Sequence, residues 1–141
     1  MSVSYRHTQI GFVIVAAVGA GFATASYIGV ASSSRGLMVV LVVLGAVLLL
    51  FPTLTTVVAD GVFEVFFGPG LIRRRIDLSD IREVRIVSNP WYCGWGIRWI
   101  GRGWLWNVSG LRGVELELKD GRRFRVGTDE PELLAKTLRE Q

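Results

Sequence analysis

The sequence predicts a membrane helical hairpin followed by a compact, mainly β domain that a C-terminal helix closes. Three observations carry that prediction. All 12 acidic residues of the 141-residue chain lie at or after Asp60. Of the 16 basic residues only Arg6 and Arg35 precede that point, so the chain is written for lipid first and water second. After Pro52 the apolar runs shorten and are punctuated by glycine, the rhythm of strands and turns.

Residues 1–52 read as an N-terminal tail and two spans, the first at about 10–31. No charged side chain occurs from Thr8 to Ser34. As a helix, the apolar run 10–31 is about 33 Å long, enough for a hydrocarbon core of about 30 Å. Arg6, the apolar run and Ala23-Thr24-Ala25 imitate the three parts of a signal peptide. The run continues past Ala25 without a polar break, so an uncleaved anchor is expected. The second span is expected at about 35–52. Its apolar part, Leu37–Phe51, covers only about 22 Å. It must therefore begin back in Ser32–Arg35 or continue through Pro52 with a kink. Thr53–Val58 is rich in β-branched residues and suits a strand, which favours the earlier start and makes Pro52 the stop.

The short turn Ser32-Ser33-Ser34-Arg35 forces the two helices antiparallel. Ala17, Gly21, Ala25 and Gly29 form a small-residue stripe at four-residue spacing, which lets a neighbouring backbone approach closely in lipid. The Leu/Val-rich second helix is the expected partner, with homo-oligomerisation through the same stripe as the alternative. Arg6 and Arg73–Arg75 flank one side of the spans and Arg35 the other. That bias places both termini in the cytoplasm, in a multi-pass protein of the plasma membrane.

Residues 53–141 read as the soluble domain. Leu54–Ala59 and Val62–Phe67 flank an Asp60-Gly61 turn, and Gly68-Pro69-Gly70 leads into Leu71–Ile76. Ile81–Val87 follows as a fourth strand, ended by Asn89-Pro90. Val114–Leu118 and Arg122–Val126 form a hairpin around Lys119-Asp120-Gly121. A two-residue loop would set Leu118 against Arg123. A three-residue loop with Gly121 left-handed sets Leu116 opposite Phe124 and Val114 opposite Val126. Glu117 then meets Arg123 and Glu115 meets Arg125, so these arginines read as cross-strand ion pairs rather than a phosphate site. A helix is expected at about 130–140, with Asp129 as N-cap, Glu132 completing a capping box and Pro131 in the first turn. Leu133, Leu134, Thr137 and Leu138 give it one apolar side.

All five tryptophans fall between Trp91 and Trp106. They serve either as large core residues or as anchors beside the bilayer, and most are expected to be structural. Glycines 94, 96, 101 and 103 argue for tight turns and close backbone approach. Several pieces of the chain resemble a known family: Phe-Gly-Pro-Gly (67–70), Ile-Arg-Arg-Arg-Ile-Asp-Leu-Ser-Asp-Ile (72–81), Asn-Pro-Trp-Tyr (89–92), Gly-Trp-Gly-Ile-Arg (94–98), Asn-Val-Ser-Gly (107–110) and the stretch 119–132. The family is that of uncharacterised bacterial membrane proteins with two transmembrane helices and a pleckstrin-homology-like domain. The likeness covers roughly residues 53–140 and the two helices before them. It implies seven strands in a bent barrel with a C-terminal capping helix, and no assigned activity. The phosphoinositide binding of distant eukaryotic relatives is not implied, because the matching basic loop is missing.

Catalytic chemistry has little to work with. The single histidine, His7, lies in the N-terminal tail, and the single cysteine, Cys93, has no histidine near it in sequence. There are too few nitrogen and sulfur donors for a usual zinc site, and Asp77, Asp80 and Glu83 cluster at a turn where aspartate caps amides. Asn107-Val108-Ser109 fits a glycosylation sequon, which means little in the cytoplasm. No cofactor and no catalysis are expected. From Asp60 onward 14 basic residues face 12 acidic ones, a near balance that speaks against nucleic acid. The bilayer is one expected partner. Beyond it, two readings remain: a module that binds or scaffolds a protein or peptide, or one that binds anionic headgroups. Candidate contacts for either are Arg73, Arg75, Trp91, Trp95, Arg98, Trp99 and Arg102.

Overall fold

The computed structural model describes residues 3–31 and 34–141, and its first element is one that apolar periodicity does not mark. The residues read above as a tail form strand β1 (Val3–Ile10), antiparallel to β2 (Thr53–Ala59) with Ile10 opposite Thr53. The inward positions of β1 include the amphipathic Tyr5 and the polar Gln9, both buried, so its alternation is nearly silent on a hydropathy scale. Val3–Ile10 thus belongs to the first sheet rather than to a free tail. Strand β3 (Val62–Phe67) pairs with β2 and β4 (Ile72–Asp77) with β3, giving a four-stranded sheet in the order β1-β2-β3-β4. Asp60 and Gly61 both take positive φ, the tight two-residue hairpin turn that an Asp-Gly pair favours.

A 3-10 turn, Leu78–Asp80, leads to the second sheet. It contains β5 (Ile81–Ser88), β6 (Gly96–Trp99), β7 (Gly103–Asn107), β8 (Arg112–Leu118) and β9 (Arg123–Gly127), in the order β5-β8-β9-β7-β6. The β8–β9 hairpin has the register its charges demand: Leu116 faces Phe124, Val114 faces Val126, Glu117 faces Arg123 and Glu115 faces Arg125. Gly121 sits at φ +87°. The described residues therefore hold nine strands rather than the seven implied by the family resemblance. The tryptophan segment supplies the β6–β7 pair. Its strand β7 runs parallel to β9, and Gly103 permits this: a Cβ there would stand 1.5 Å from the Arg123 carbonyl oxygen.

Between β1 and β2 stand two apolar helices, α1 (Phe12–Ala31) and α2 (Arg35–Leu50). Of the expected turn, Ser32 and Ser33 lie outside the described residues. Phe12–Val30 is long and apolar enough to cross a membrane, and it is almost wholly exposed; α2, with 16 residues, is apolar but shorter. Contacts of Gly21 with Leu44, Phe22 with Gly45 and Gly29 with Leu37 run in opposite directions along the two helices, so they pack antiparallel. Phe51 is the C-cap of α2, and the next strand starts just past Pro52. Gly11 N donates to Pro52 O at 2.9 Å, which continues the β1–β2 ladder by one rung into the hairpin's base.

Helix α3 (Pro131–Glu140) buries Leu134, Ala135 and Leu138 against β5, β8 and β1. Its entry departs from the expected capping box. The N-cap is Glu130, with no side-chain cap, while Thr128 Oγ1 accepts from Glu130 N at 3.1 Å. Asp129 is diverted: its Oδ1 lies 2.6 Å from His7 Nε2, and Tyr5 OH donates to Glu130 Oε2 at 3.3 Å. Burial, then the Glu130 charge, pushes the Tyr5 phenol up. Strand β1 is thus pinned to the start of α3. The core between the sheets is built from Leu54, Val58, Phe63, Val65, Phe67, Trp106, Val114, Leu116, Phe124 and Val126.

Candidate binding surface

Strand register gives the domain two unlike ends. At one end β1 meets α1 and α2 meets β2, and the loop after β7 is packed against that junction. A Cβ on Gly11 would stand 3.1 Å from Val108 Cβ, and Gln9 Nε2 donates to Ser109 Oγ at 2.9 Å. Asn89 N donates to Leu111 O at 2.5 Å, so the segment after β5 starts at this end as well. The opposite end carries the Asp60-Gly61 turn, Leu78–Asp80, the β8–β9 turn and the Ile100–Arg102 turn between β6 and β7.

The tryptophans divide between these ends, and the expectation that most are structural is overturned. Only Trp106 belongs to the core, 7% exposed, with ring centroids 5.1 Å from Phe67 and 5.7 Å from Phe124. Trp91 and Tyr92 form an edge-to-face pair at 6.0 Å, 78% and 71% exposed, on the segment between β5 and β6, where Tyr92 shares a hollow with Trp99 and Ile100. Trp95 precedes β6 and is also exposed, as are Leu71 and Leu111 on neighbouring turns. Strand β6 then carries the chain about 10 Å toward the far end. There Trp99 and Trp104 stack edge to face at 5.3 Å and remain 59% and 42% exposed. The cause is topological. Strands β7 and β6 are added outside β9, so their inward faces overhang the core once Trp106 has filled it. A sequence cannot show an overhang of this kind, because it follows from the nonlocal parallel pairing of β7 with β9.

The three consecutive arginines of β4 are divided by the pleat. Arg73 and Arg75 share the outer face and converge on Glu64 Oε1, each at 3.2 Å, and Arg73 Nε also donates to Gly70 O. Their charge is partly spent within the sheet. Arg74 points inward, its guanidinium carbon 5.1 Å from the Phe124 ring centroid, and its buried Nε has no hydrogen-bond partner. Sequence reading passed over Arg74 because it stands between Ile72 and Ile76 on the apolar face. Arg98 lies over the Gly94 turn, and Arg102 is exposed in the β6–β7 turn.

Two hollows flank Arg74. One, of about 370 Å³, is lined by Arg75, Asp77, Asp80, Lys119, Asp120 and Arg122. The other, of about 90 Å³, is lined by Trp99, Arg102, Trp104 and Arg123. Elsewhere the outer face of the second sheet is covered where the 89–95 segment crosses it. Leu105 is fully buried there, apart from the main core, and Glu115 accepts from Arg125 at 2.5 Å while only 5% exposed. In the helix pair, Ala25 is buried and Gly21 and Gly29 face Leu44 and Leu37, whereas Ala17 is exposed. Asn107 of the sequon is 1% exposed, and its amide donates to Gly110 O, so the folded chain offers no acceptor there.

Among the described residues no three His, Cys, Asp or Glu side chains converge as metal ligands. No family model matches the chain, and no curated protein matches it.

Proposed function

We propose that the protein is a non-catalytic, membrane-anchored binding module: a pleckstrin-homology-like β domain held at the cytoplasmic face by a two-helix hairpin, where it engages a protein partner through the overhanging β6–β7 hairpin. One observation carries the reading. Four of the five tryptophans are exposed on elements that nothing else in the described chain covers, and large aromatic surface left open marks interaction sites. The anchoring half is supported by the placement of the apolar helices between two paired strands. Cleavage after Ala25 would strip β1 from the sheet, which argues against a signal peptide. Because β1 and β2 belong to one sheet, the hairpin enters and leaves from the same side, so both termini share a compartment. Arg6 and Arg73–Arg75 on that side, against Arg35 at the tip, favour the cytoplasm.

The second reading, a lipid-surface role, is favoured by Trp95, exposed with Leu71 and Leu111 at the end from which the helices emerge. Aromatic side chains at that depth suit the headgroup layer. The two readings then concern different ends of one domain. A photo-crosslinking residue at position 104 in native membranes is expected to capture protein, and one at position 95 to capture lipid. Capture of lipid alone at position 104 would refute the division.

A further inference from the structure

Arg74 is a cation with no direct ion pair among the described residues, at the edge of a hydrophobic core. Burial lowers its pKa, and the Arg122 charge lowers it further. Asp120, the acid that offsets it, is already bound to Arg122 at 2.6 Å. Arg74, Arg102 and Lys119 make no ion pair among the described residues. A half-buried guanidinium held this way loses hydration without recovering it from a partner, and an incoming carboxylate would supply what is missing.

The shape around it is a trench rather than a round pocket. Hollows open on both sides of Arg74, and Arg74 and Arg122 line both; the larger also holds Asp77, Asp80 and Asp120, so the acid-free side is the smaller one, where Arg102 and Arg123 join them. One wall is β4, an edge strand that pairs only with β3 among the described residues, so its outer main-chain groups are open to pairing. The other wall is the Trp99–Trp104 pair on the overhanging hairpin. Open strand groups bind extended chain, and in an extended chain alternate side chains face opposite ways. Arg74, Arg102 and the indoles line the same hollow, so a segment with an acidic and an apolar residue two positions apart would set the acid at Arg74 and the apolar side chain against the indoles. The trench opens toward the end of the domain away from the helices, so the lipid that holds the anchor does not reach it.

We propose that the trench between β4 and the β6–β7 hairpin binds an extended acidic segment of a partner protein, with Arg74 receiving a carboxylate and Trp99 and Trp104 covering the apolar side chain two positions away. This rests on the binding-module reading and names its ligand class.

The test uses the full chain in detergent micelles and a fluorescein-labelled peptide in which glutamate and valine take turns at every second position with serine between them, followed by anisotropy. Saturable binding that weakens with salt is expected, with no binding of the lysine-for-glutamate peptide. Arg74→Gln is expected to weaken binding about tenfold or more, as for loss of a charge-assisted hydrogen bond. Arg102→Gln, an exposed change that leaves folding intact, is expected to weaken it less, and Arg35→Gln at the helix tip not at all. Failure of the glutamate peptide to saturate overturns the proposal, as does binding unchanged in both Arg74→Gln and Arg102→Gln. Displacement of the peptide by millimolar inorganic phosphate would reassign the trench to small oxyanions. Binding to phosphatidylserine vesicles that disappears in Arg74→Gln would reassign it to lipid. If position 104 still crosslinks to protein in native membranes while the peptide does not bind, only the ligand class fails; if both fail, the binding-module reading falls with it.

Discussion

Gly103 and Gly121 sit at the two edges of β9, and their alanine variants should behave differently. Gly121 needs only its left-handed backbone, at φ +87°, and nothing lies within 4 Å of an added Cβ. Gly121→Ala should therefore cost about 1 kcal/mol, the usual price of forcing a side chain to positive φ. At Gly103 an added Cβ would collide with the Arg123 carbonyl, and β7 could not stay paired with β9. Gly103→Ala should cost clearly more than Gly121→Ala in urea unfolding of the detergent-solubilised chain. Equal losses would mean that β7 does not lie beside β9. The first glycine was legible in the sequence because Lys119-Asp120-Gly121 and the flanking charges define a local turn. The second was legible only as one of several glycines suggesting close approach, since the strand it touches is 20 residues away. Arg74 was hidden for the same kind of reason. Alternation shows that it faces inward, but its lack of an acid depends on where Asp120 and Arg122 end up.

The β6–β7 hairpin shows why element identity and element burial separate. Aromatic residues interleaved with glycine can be core, rim or turn, and composition alone favoured the core. The fold assigns one tryptophan to the core and leaves the others at its margins, because an added parallel strand extends the sheet beyond the partner sheet's width. A stability series should reproduce that division. Trp106→Ala removes a buried ring packed on Phe67 and Phe124 and should cost about 3–5 kcal/mol. Trp99→Ser should leave the unfolding midpoint nearly unchanged, since its ring is mostly in solvent. Comparable losses for both would place Trp99 in the core. The turns and registers of the local hairpins β2–β3 and β8–β9 were readable, because turn chemistry and charge pairing act over a few positions, while their ends were not: β2 starts at Thr53, β8 at Arg112, and β9 runs to Gly127. Strand β1 was not, because its buried positions include Gln9 and its partner lies beyond two helices.

Taken whole, the molecule is a β domain with an apolar hairpin inserted between two neighbouring strands. Ile10 faces Thr53 across the β1–β2 ladder, and the Gly11–Pro52 hydrogen bond closes the base of the insertion. The domain's architecture therefore does not depend on the helices, apart from the packing of Ile14 and Phe51 on the core. Residues 12–51 should be replaceable by an Asn-Gly turn, since Gly11 and Pro52 form the hydrogen-bonded pair on which a two-residue loop closes. The shortened chain should fractionate as a soluble protein and unfold cooperatively, while the full chain sediments with membranes. Loss of the Phe51–Phe67 contact, at 5.1 Å, should cost it about 1 kcal/mol. A fragment of residues 53–141 alone should fare much worse. It lacks Tyr5, exposes the edge of β2, and loses the ties from His7 to Asp129 and from Tyr5 to Glu130 that hold the entry to α3. Thermal melts of the two proteins side by side decide the matter. A fragment 53–141 as stable as the turn-linked protein would remove β1 from the domain, and with it the argument that the hairpin leaves and returns on one side.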